Sequence, residues 1–399
     1  MTMQPNQCHV VAHSDGFEVQ PLGKFYPSSK PLVAAARWAQ ANVSLAVVEL
    51  IIGVMGKHGG FSVCDDPNKS GTIVAPAGQS MRAMRFVGLN DNAEIGSIQL
   101  WTKGGQPGPL TFEGLIMRAP SLCKFIILAS QNNEFTRCGV TVKRCVFAQW
   151  PSAVMLSLSR FWSKMRGWFT IGDTPLAGGA LWGVRGHGSL LWVELDQVVS
   201  DGFGEHALCY VDNVQERVSV SRCVATDSGR TAVQVTCREF QDKERKIPTG
   251  TPATPESAVC SITDNQFVNC GSYAGGKNGW TANGSAVTIA GWPGSWAILR
   301  NTFKHTHVGG GGIAVFPDWA KIGSYKTTDG FAMGDGSIQG NSFTLQAGAT
   351  AGREAVQVGG CRSLTQGANT LGGTEQRVTY DQGGKIGTIH GTFGGKVPF

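Results

Sequence analysis

This chain of 399 residues has little charge: Asp, Glu, Lys and Arg make up 16% of it, well below the usual quarter. Disordered chains are charge-rich and poor in aromatic and β-branched residues, so disorder is excluded. Ala, Glu, Lys and Leu are not present in bulk, which excludes a coiled coil or a long helical bundle. The 11 cysteines form no Cys-x-x-Cys pair and no Cys/His spacing of a zinc site, so neither a metal nor any other cofactor is expected. Met1 to Gln20 has no basic start followed by an apolar core, hence no secretory signal is read there. The longest apolar run, Leu45 to Met55, is interrupted by Glu49 and is too short to span a bilayer. The 34 cations exceed the 28 acids by six, but they are scattered. The densest run, Arg238 to Lys246, also holds Glu239, Asp242 and Glu244, so no nucleic-acid footprint is present.

What the chain does have is glycine, 55 residues of it, without the every-third-residue period of collagen. Together with 41% hydrophobic residues, this points to a turn-rich β protein with a substantial core. Several cysteines, Cys145 among them, lie in alternating apolar runs. They read as buried thiols kept reduced in a cytoplasm.

Two segments recur. The first runs apolar-x-x-(Asn, Cys or Asp)-x-apolar and occurs at Val142–Phe147, Val193–Val198, Val220–Ala225, Ile262–Phe267, Ile298–Phe303 and Ile338–Phe343. The polar slot, two residues before the terminal apolar position, holds Cys145, Asp196, Cys223, Asn265, Asn301 and Asn341. The second segment begins with a small residue at Ala153, Ala207, Ala232, Ala286, Gly312 and Ala355. Apolar side chains follow it at alternate positions, such as Leu208 and Tyr210 or Val233 and Val235, which is a strand signal. Unequal spacing between copies suits a solenoid, the short spacings matching a single coil and the long ones a coil carrying large loops or two coils. Asparagines stacked at one turn can bond in a ladder along the axis.

These repeats resemble the right-handed parallel β-helix superfamily of pectate lyases, related polysaccharide lyases and hydrolases, and phage tailspikes. The opening, Gly71–Ser80 followed by Met84–Gly88, resembles the first coils of alginate- and chondroitin-lyase-like members. The expected architecture is therefore all-β: an N-terminal arm and capping helix over 1–56, a parallel β-helix over 57–372, and a C-terminal cap or oligomer contact over 373–399. Lys30 to Gln40, with Pro31 near a helix start, is the expected capping helix, since a solenoid end exposes strand edges and core.

In this superfamily the substrate lies on the sheet formed by the second segment. With the copies aligned on their small residues, the middle outward column reads Met155, Cys209, Gln234, Thr288, Ala314 and Gln357, without charge. The column four past each small residue is neutral too. The column beyond it holds Asn213, Arg238, Trp292 and Asp318. Arg238 and Asp318 are thus the first catalytic candidates. Asp201, Glu205 and His206, ahead of Ala207, are the flanking ones, with histidine suited to act as a base near neutral pH. Trp292, Trp296 and Trp319 offer faces for sugar rings, and Gln234 and Asn213 offer hydrogen bonds. The pectate-lyase and polygalacturonase signatures are absent. The resemblance implies a carbohydrate-active protein that binds, and as a lyase or hydrolase would cleave, an anionic surface polysaccharide. It also implies a tailspike-like homotrimer in a larger virion assembly, located on the virion or an extracellular surface. The rival reading is a non-catalytic receptor-binding or structural virion protein of the same fold.

Overall fold

The computed structural model describes residues 9–20, 22–44, 46–64, 72–74, 80–101, 108–118, 125–129, 138–148, 170–171, 174–175, 182–186, 190–201, 206–226, 228, 231–237, 254–270, 285–305, 311–316, 333–345, 355–359, 361–372, 378–382, 385–389 and 393–397. The architecture is a parallel β-helix. Each coil contributes a strand to a first face, a shorter strand to a second, and a strand to a third. One such coil runs Arg217–Ser221, Val224–Thr226, Val233–Thr236. It pairs in parallel with the next at Val259–Thr263, Gln266–Val268 and Ser285–Ala290.

Alternation builds the core. On the first face Val218 and Val220 point inward while Arg217, Ser219 and Ser221 point out, and Cys260/Ile262 and Trp296/Ile298 repeat the arrangement one and two coils on. Because coils stack in register, like residues meet. Phe267, Phe303 and Phe343 form a column on the second face, with ring centroids 5.2 and 4.7 Å apart. Phe86 and Phe112 stack at 5.3 Å on the first. Offset aromatic contact of this kind adds to the gain from area burial.

The corner between the first and second faces is tight, and it carries the polar slot seen in the sequence. Asn265, Asn301, Asn341 and Asn369 form a continuous ladder. Each of the first three donates its side-chain N–H to the Oδ1 of the next at 2.9 to 3.0 Å, and to a backbone carbonyl one coil back. Each of the last three also accepts a backbone N–H from the preceding slot. Cys145 and Cys223 fill the same slot, and Asn265 Oδ1 accepts the amide of Cys223 at 2.8 Å. One copy sits differently from the sequence alignment. Leu195, not Val193, aligns with Val142 and Val220, so Val198 occupies the slot, and Asp196 lies outside it, gripped by Arg222.

The residue before each slot turns through left-handed backbone: Gly114 (φ 63°), Arg144 (53°), Gln197 (55°), Arg222 (54°), Asp264 (58°), Arg300 (54°), Gly340 (65°) and Ala368 (49°). Six of these eight are not glycine, although the conformation costs any residue with a Cβ. Three of them are arginines reaching back one coil to a carboxylate: Arg144 to Glu113, Arg222 to Asp196 and Arg300 to Asp264. The bidentate hydrogen bond from Arg300 holds the Asp264 carboxyl below its ordinary range.

Glycine matters most opposite tryptophan. Gly336 pairs with Trp296 and Gly139 with Trp192, and a Cβ on either would overlap indole carbons. Trp296 is buried in the core, whereas Trp192 is partly exposed on the outer side with Arg217 above it. Gly336→Ala should therefore destabilise by about 2 kcal/mol or more and Gly139→Ala by clearly less, read as the difference in thermal unfolding midpoints.

The helix Pro31–Asn42 has Pro31 in its first turn and buries Leu32, Val33, Ala35, Ala36 and Ala39 against the first strands. Arg82, on the approach to the strand Ala83–Gly88, donates to the carbonyls of Ala39, Gln40, Val43 and Ser44. Ala39 O also accepts the amide of Val43, and the arginine supplies donors to the carbonyls beyond it at the end of the helix. The strands His9–Ala12, Gly16–Gln20 and Lys24–Pro27 extend the first face as an antiparallel flap beyond this end. At the other end Val378–Gln382 continues the third face in parallel, and Lys385–Ile389 and Phe393–Val397 close the sheets with antiparallel pairings. All nine described cysteines are free, and all but Cys237 are buried. Burial pushes the thiols of Cys138 and Cys223 up to about 12, which makes them poor nucleophiles. Among the described residues no helix is long and apolar enough to cross a membrane.

Candidate functional site

The third face differs from the other two. Its strands His206–Asp212, Val233–Thr236 and Ser285–Ala290 are buried on both sides, not on alternate residues. The chain order explains where cover would come from. Where a corner separates a first-face from a second-face strand it is two residues long, apart from the five of 89–93. The long connections, such as 149–181, 237–258 and 317–332, each join the third face to another face in chain order. Loops beside a rigid sheet are where binding groups are commonly placed.

A bulge sets which side chains this face displays. The amides of Leu208 and Cys209 both donate to Ala232 O, at 3.0 and 3.2 Å, so the strand carries one extra residue there. From that point Cys209 pairs with Val233, Tyr210 with Gln234 and Asp212 with Thr236. Cys209 and Val211 are core residues, and Tyr210 and Asp212 stand on the outer side. One coil earlier Arg185 pairs with Tyr210. The outward row therefore reads Arg185, Tyr210, Gln234, Thr288, Ala314. The neutral middle column expected from the sequence is corrected: it contains a cation, and Asp212 lies two residues beyond Tyr210 on the same side.

The charges are paired. Arg185 Nη1 donates to Asp212 Oδ2 at 3.0 Å, to Tyr210 O at 3.1 Å and to its neighbour Gly186 O at 3.0 Å. Its guanidinium lies 3.5 Å from the Tyr210 ring centroid and 6.0 Å from that of Trp182, a cation–π arrangement. Thr236 donates its hydroxyl to Asp212 Oδ1. Arg185 is 2% exposed and Asp212 0%, so each ion relies on its partner in place of water. His206 packs against Tyr210 at 4.9 Å, and its Nδ1 lies 2.7 Å from Thr231 O. A carbonyl only accepts, so Nδ1 carries the proton and Nε2 is the basic nitrogen of the neutral ring.

Gln234 is the exception in this row. It is 1% exposed, and neither its side-chain oxygen nor its nitrogen has a hydrogen-bond partner. The indole N–H of Trp182 is likewise buried without a partner. Such orphans are uncommon, because each costs the desolvation of a polar group.

The predicted site residues divide as follows. His206 and Gln234 come together on the third face, with Tyr210 between them. Asp201 lies on the second face, exposed and bonded to the Thr226 hydroxyl. Asn213 is a turn residue, φ 55°, whose amide donates to Thr236 O at 2.9 Å. Trp292 and Trp296 are corrected: both are buried core residues, with indole N–H groups bonded to Ser295 O and Gly334 O. They present no face to a sugar. Arg238, Asp318, Glu205 and Trp319 lie outside the described residues, as does the repeat copy at Ala153.

Sequence reasoning missed Arg185, Tyr210 and Asp212. The signal was available in Leu208-Cys209-Tyr210-Val211-Asp212. Turning Cys209 and Val211 inward buries two apolar side chains and releases a tyrosine and a carboxylate together, whereas the opposite register buries the tyrosine. Comparison with protein-family models, with curated proteins and with solved structures gives no match to this chain.

Proposed function

We propose that this chain is a carbohydrate-binding β-helix of the pectate-lyase-like, tailspike-like kind, whose third face takes a surface polysaccharide. The observation that carries this reading is the outward row Arg185–Tyr210–Gln234–Thr288, flanked by His206 and Asp212, on the face that the long connections join to the other two in chain order. Polar groups held in register by a stacked sheet are preorganised, which lowers the entropic cost of binding. Arg238, Glu205, Asp318 and Trp319, which lie outside the described residues, belong to the proposal as candidate groups by their place in the chain order alone, each close to a third-face strand in sequence. The anionic character of the ligand rests on the net charge of +6, since the guanidinium of the face is already paired with Asp212.

Binding is favoured over hydrolysis. A glycosidase needs two carboxyl groups across the scissile bond. Among the described residues this face carries Asp212, held by Arg185 and Thr236, and Asp381 five strands further along the stack, about 24 Å away at the usual strand spacing and too far to pair with it. β-Elimination is the catalytic alternative with an observation behind it: the tautomer of His206 leaves a basic nitrogen beside Tyr210. The test is incubation with uronate polysaccharides and capsular material. Retention, reducing ends and the ultraviolet absorbance of unsaturated uronates are followed together, along with particle mass for the expected homotrimer. Retention without product is the expected result. Unsaturated product that disappears in His206→Gln would establish elimination in its place, and no retention of any polysaccharide would overturn the reading.

A further inference from the structure

The orphaned amide of Gln234 has a consequence for what the third face recognises. Its neighbours across the sheet are Tyr210, one coil back, and Thr288, one coil on. The same side of its own strand carries Thr236, which is bonded to Asp212. All of these are buried, and the charged pair beside them is mutually neutralised. A glutamine in such a place offers two N–H donors and an acceptor, and none of them is used. Gln366 has the same orphaned amide, but it lies in the inward first-face column next to Ile338, among apolar side chains. Gln234 alone of the two stands on an outward face among polar groups.

Resting on the carbohydrate reading above, we infer that Gln234 is the reading head of a subsite for neutral sugar hydroxyls, and not for the carboxylates of the chain. An amide presents a donor and an acceptor side by side, which is the pattern a vicinal pair of pyranose hydroxyls completes. A carboxylate would meet the amide oxygen and Asp212, both acceptors, and no unpaired cation of the described row. The Thr288 hydroxyl next in the row and the phenol-bearing Tyr210 border the same spot. An unfilled buried amide destabilises the empty protein, and a ligand that fills it recovers that loss, so selectivity against sugars lacking the hydroxyl pair follows.

The experiment replaces the amide with an apolar group of similar length, Gln234→Leu and separately Gln234→Met. Thermal unfolding and affinity are measured with and without oligosaccharides of galacturonate, alginate and chondroitin. The ligand-free variants should unfold at or above the wild-type temperature, because they remove unsatisfied polar atoms without removing bonds. Their affinity for the oligosaccharide that wild type binds should fall about tenfold or more, and the ligand-induced rise in unfolding temperature should shrink with it. Wild-type binding with both variants within twofold would overturn the subsite, leaving the amide satisfied by ordered water alone while the carbohydrate reading stands. Wild type binding none of the oligosaccharides would overturn both.

Discussion

Arg185→Met should destabilise the protein by about 3–5 kcal/mol, since it leaves the Asp212 carboxylate buried without its guanidinium. The double variant Arg185→Met/Asp212→Leu should regain most of that loss. With both ions gone no uncompensated charge is buried, and the Thr236 hydroxyl still reaches Val211 O at 3.4 Å. Chemical unfolding of the two single variants and the double variant gives the coupling directly. A double variant as unstable as Arg185→Met would mean that the methionine, and not the unpaired carboxylate, is at fault. The same double variant separates stability from recognition. Arg185 lies over the Tyr210 ring, so a folded double variant should still show weakened polysaccharide retention if the ring is positioned by that contact.

The asparagine ladder gives the second large effect. Asn301 accepts the backbone and side-chain N–H groups of Asn265, each at 2.9 Å, and donates to Ile262 O and to Asn341 Oδ1. Asn301→Leu is close in volume but leaves two donors and a carbonyl of the corner unpaired in the core. At roughly 1–3 kcal/mol for each orphan, partly relieved by relaxation, about 3–5 kcal/mol of stability should be lost. Cys223→Asn is the matching gain. The Cys223 thiol already faces the Leu195 carbonyl and accepts the amide of Val198, so an asparagine there finds a carbonyl and an amide to bond one coil back. It should be tolerated or stabilise by up to about 1 kcal/mol. Urea unfolding of the two variants decides this, and a strongly destabilised Cys223→Asn would show that sulfur is required in the slot.

Much of the fold was legible because a solenoid repeats its environment. The polar slot at Asn265, Asn301 and Asn341 was visible as a recurring residue in an otherwise apolar segment, and the ladder is the physical reason for it. Two register errors show what pattern alone does not fix. Aligning Val193 in place of Leu195 with Val142 slips the strand by two residues. Every side chain stays on its own side of the sheet, so alternation leaves no trace of the error. Aligning Leu208 with Val233 slips the next strand by one and turns every side chain over. That slip hides Tyr210 and Asp212 and makes the outward column of the third face read as neutral. Trp296 differs in kind: an indole expected to offer a face to sugar rings alternates with Ile298 in a strand and fills the space that Gly336 leaves open on the next coil.

The sequence by itself therefore determined the scaffold: all-β, coiled, capped by a helix at Pro31–Asn42, with free buried thiols and an asparagine corner. Hydrophobic alternation and a repeated slot are local properties that stacking only copies. The tertiary structure decided the candidate site. A bulge is one extra residue measured against a neighbouring strand, so it exists only once His206–Asp212 lies beside Val233–Thr236. Only then do Arg185, Tyr210, Asp212 and Gln234, spread along the chain, form one polar row.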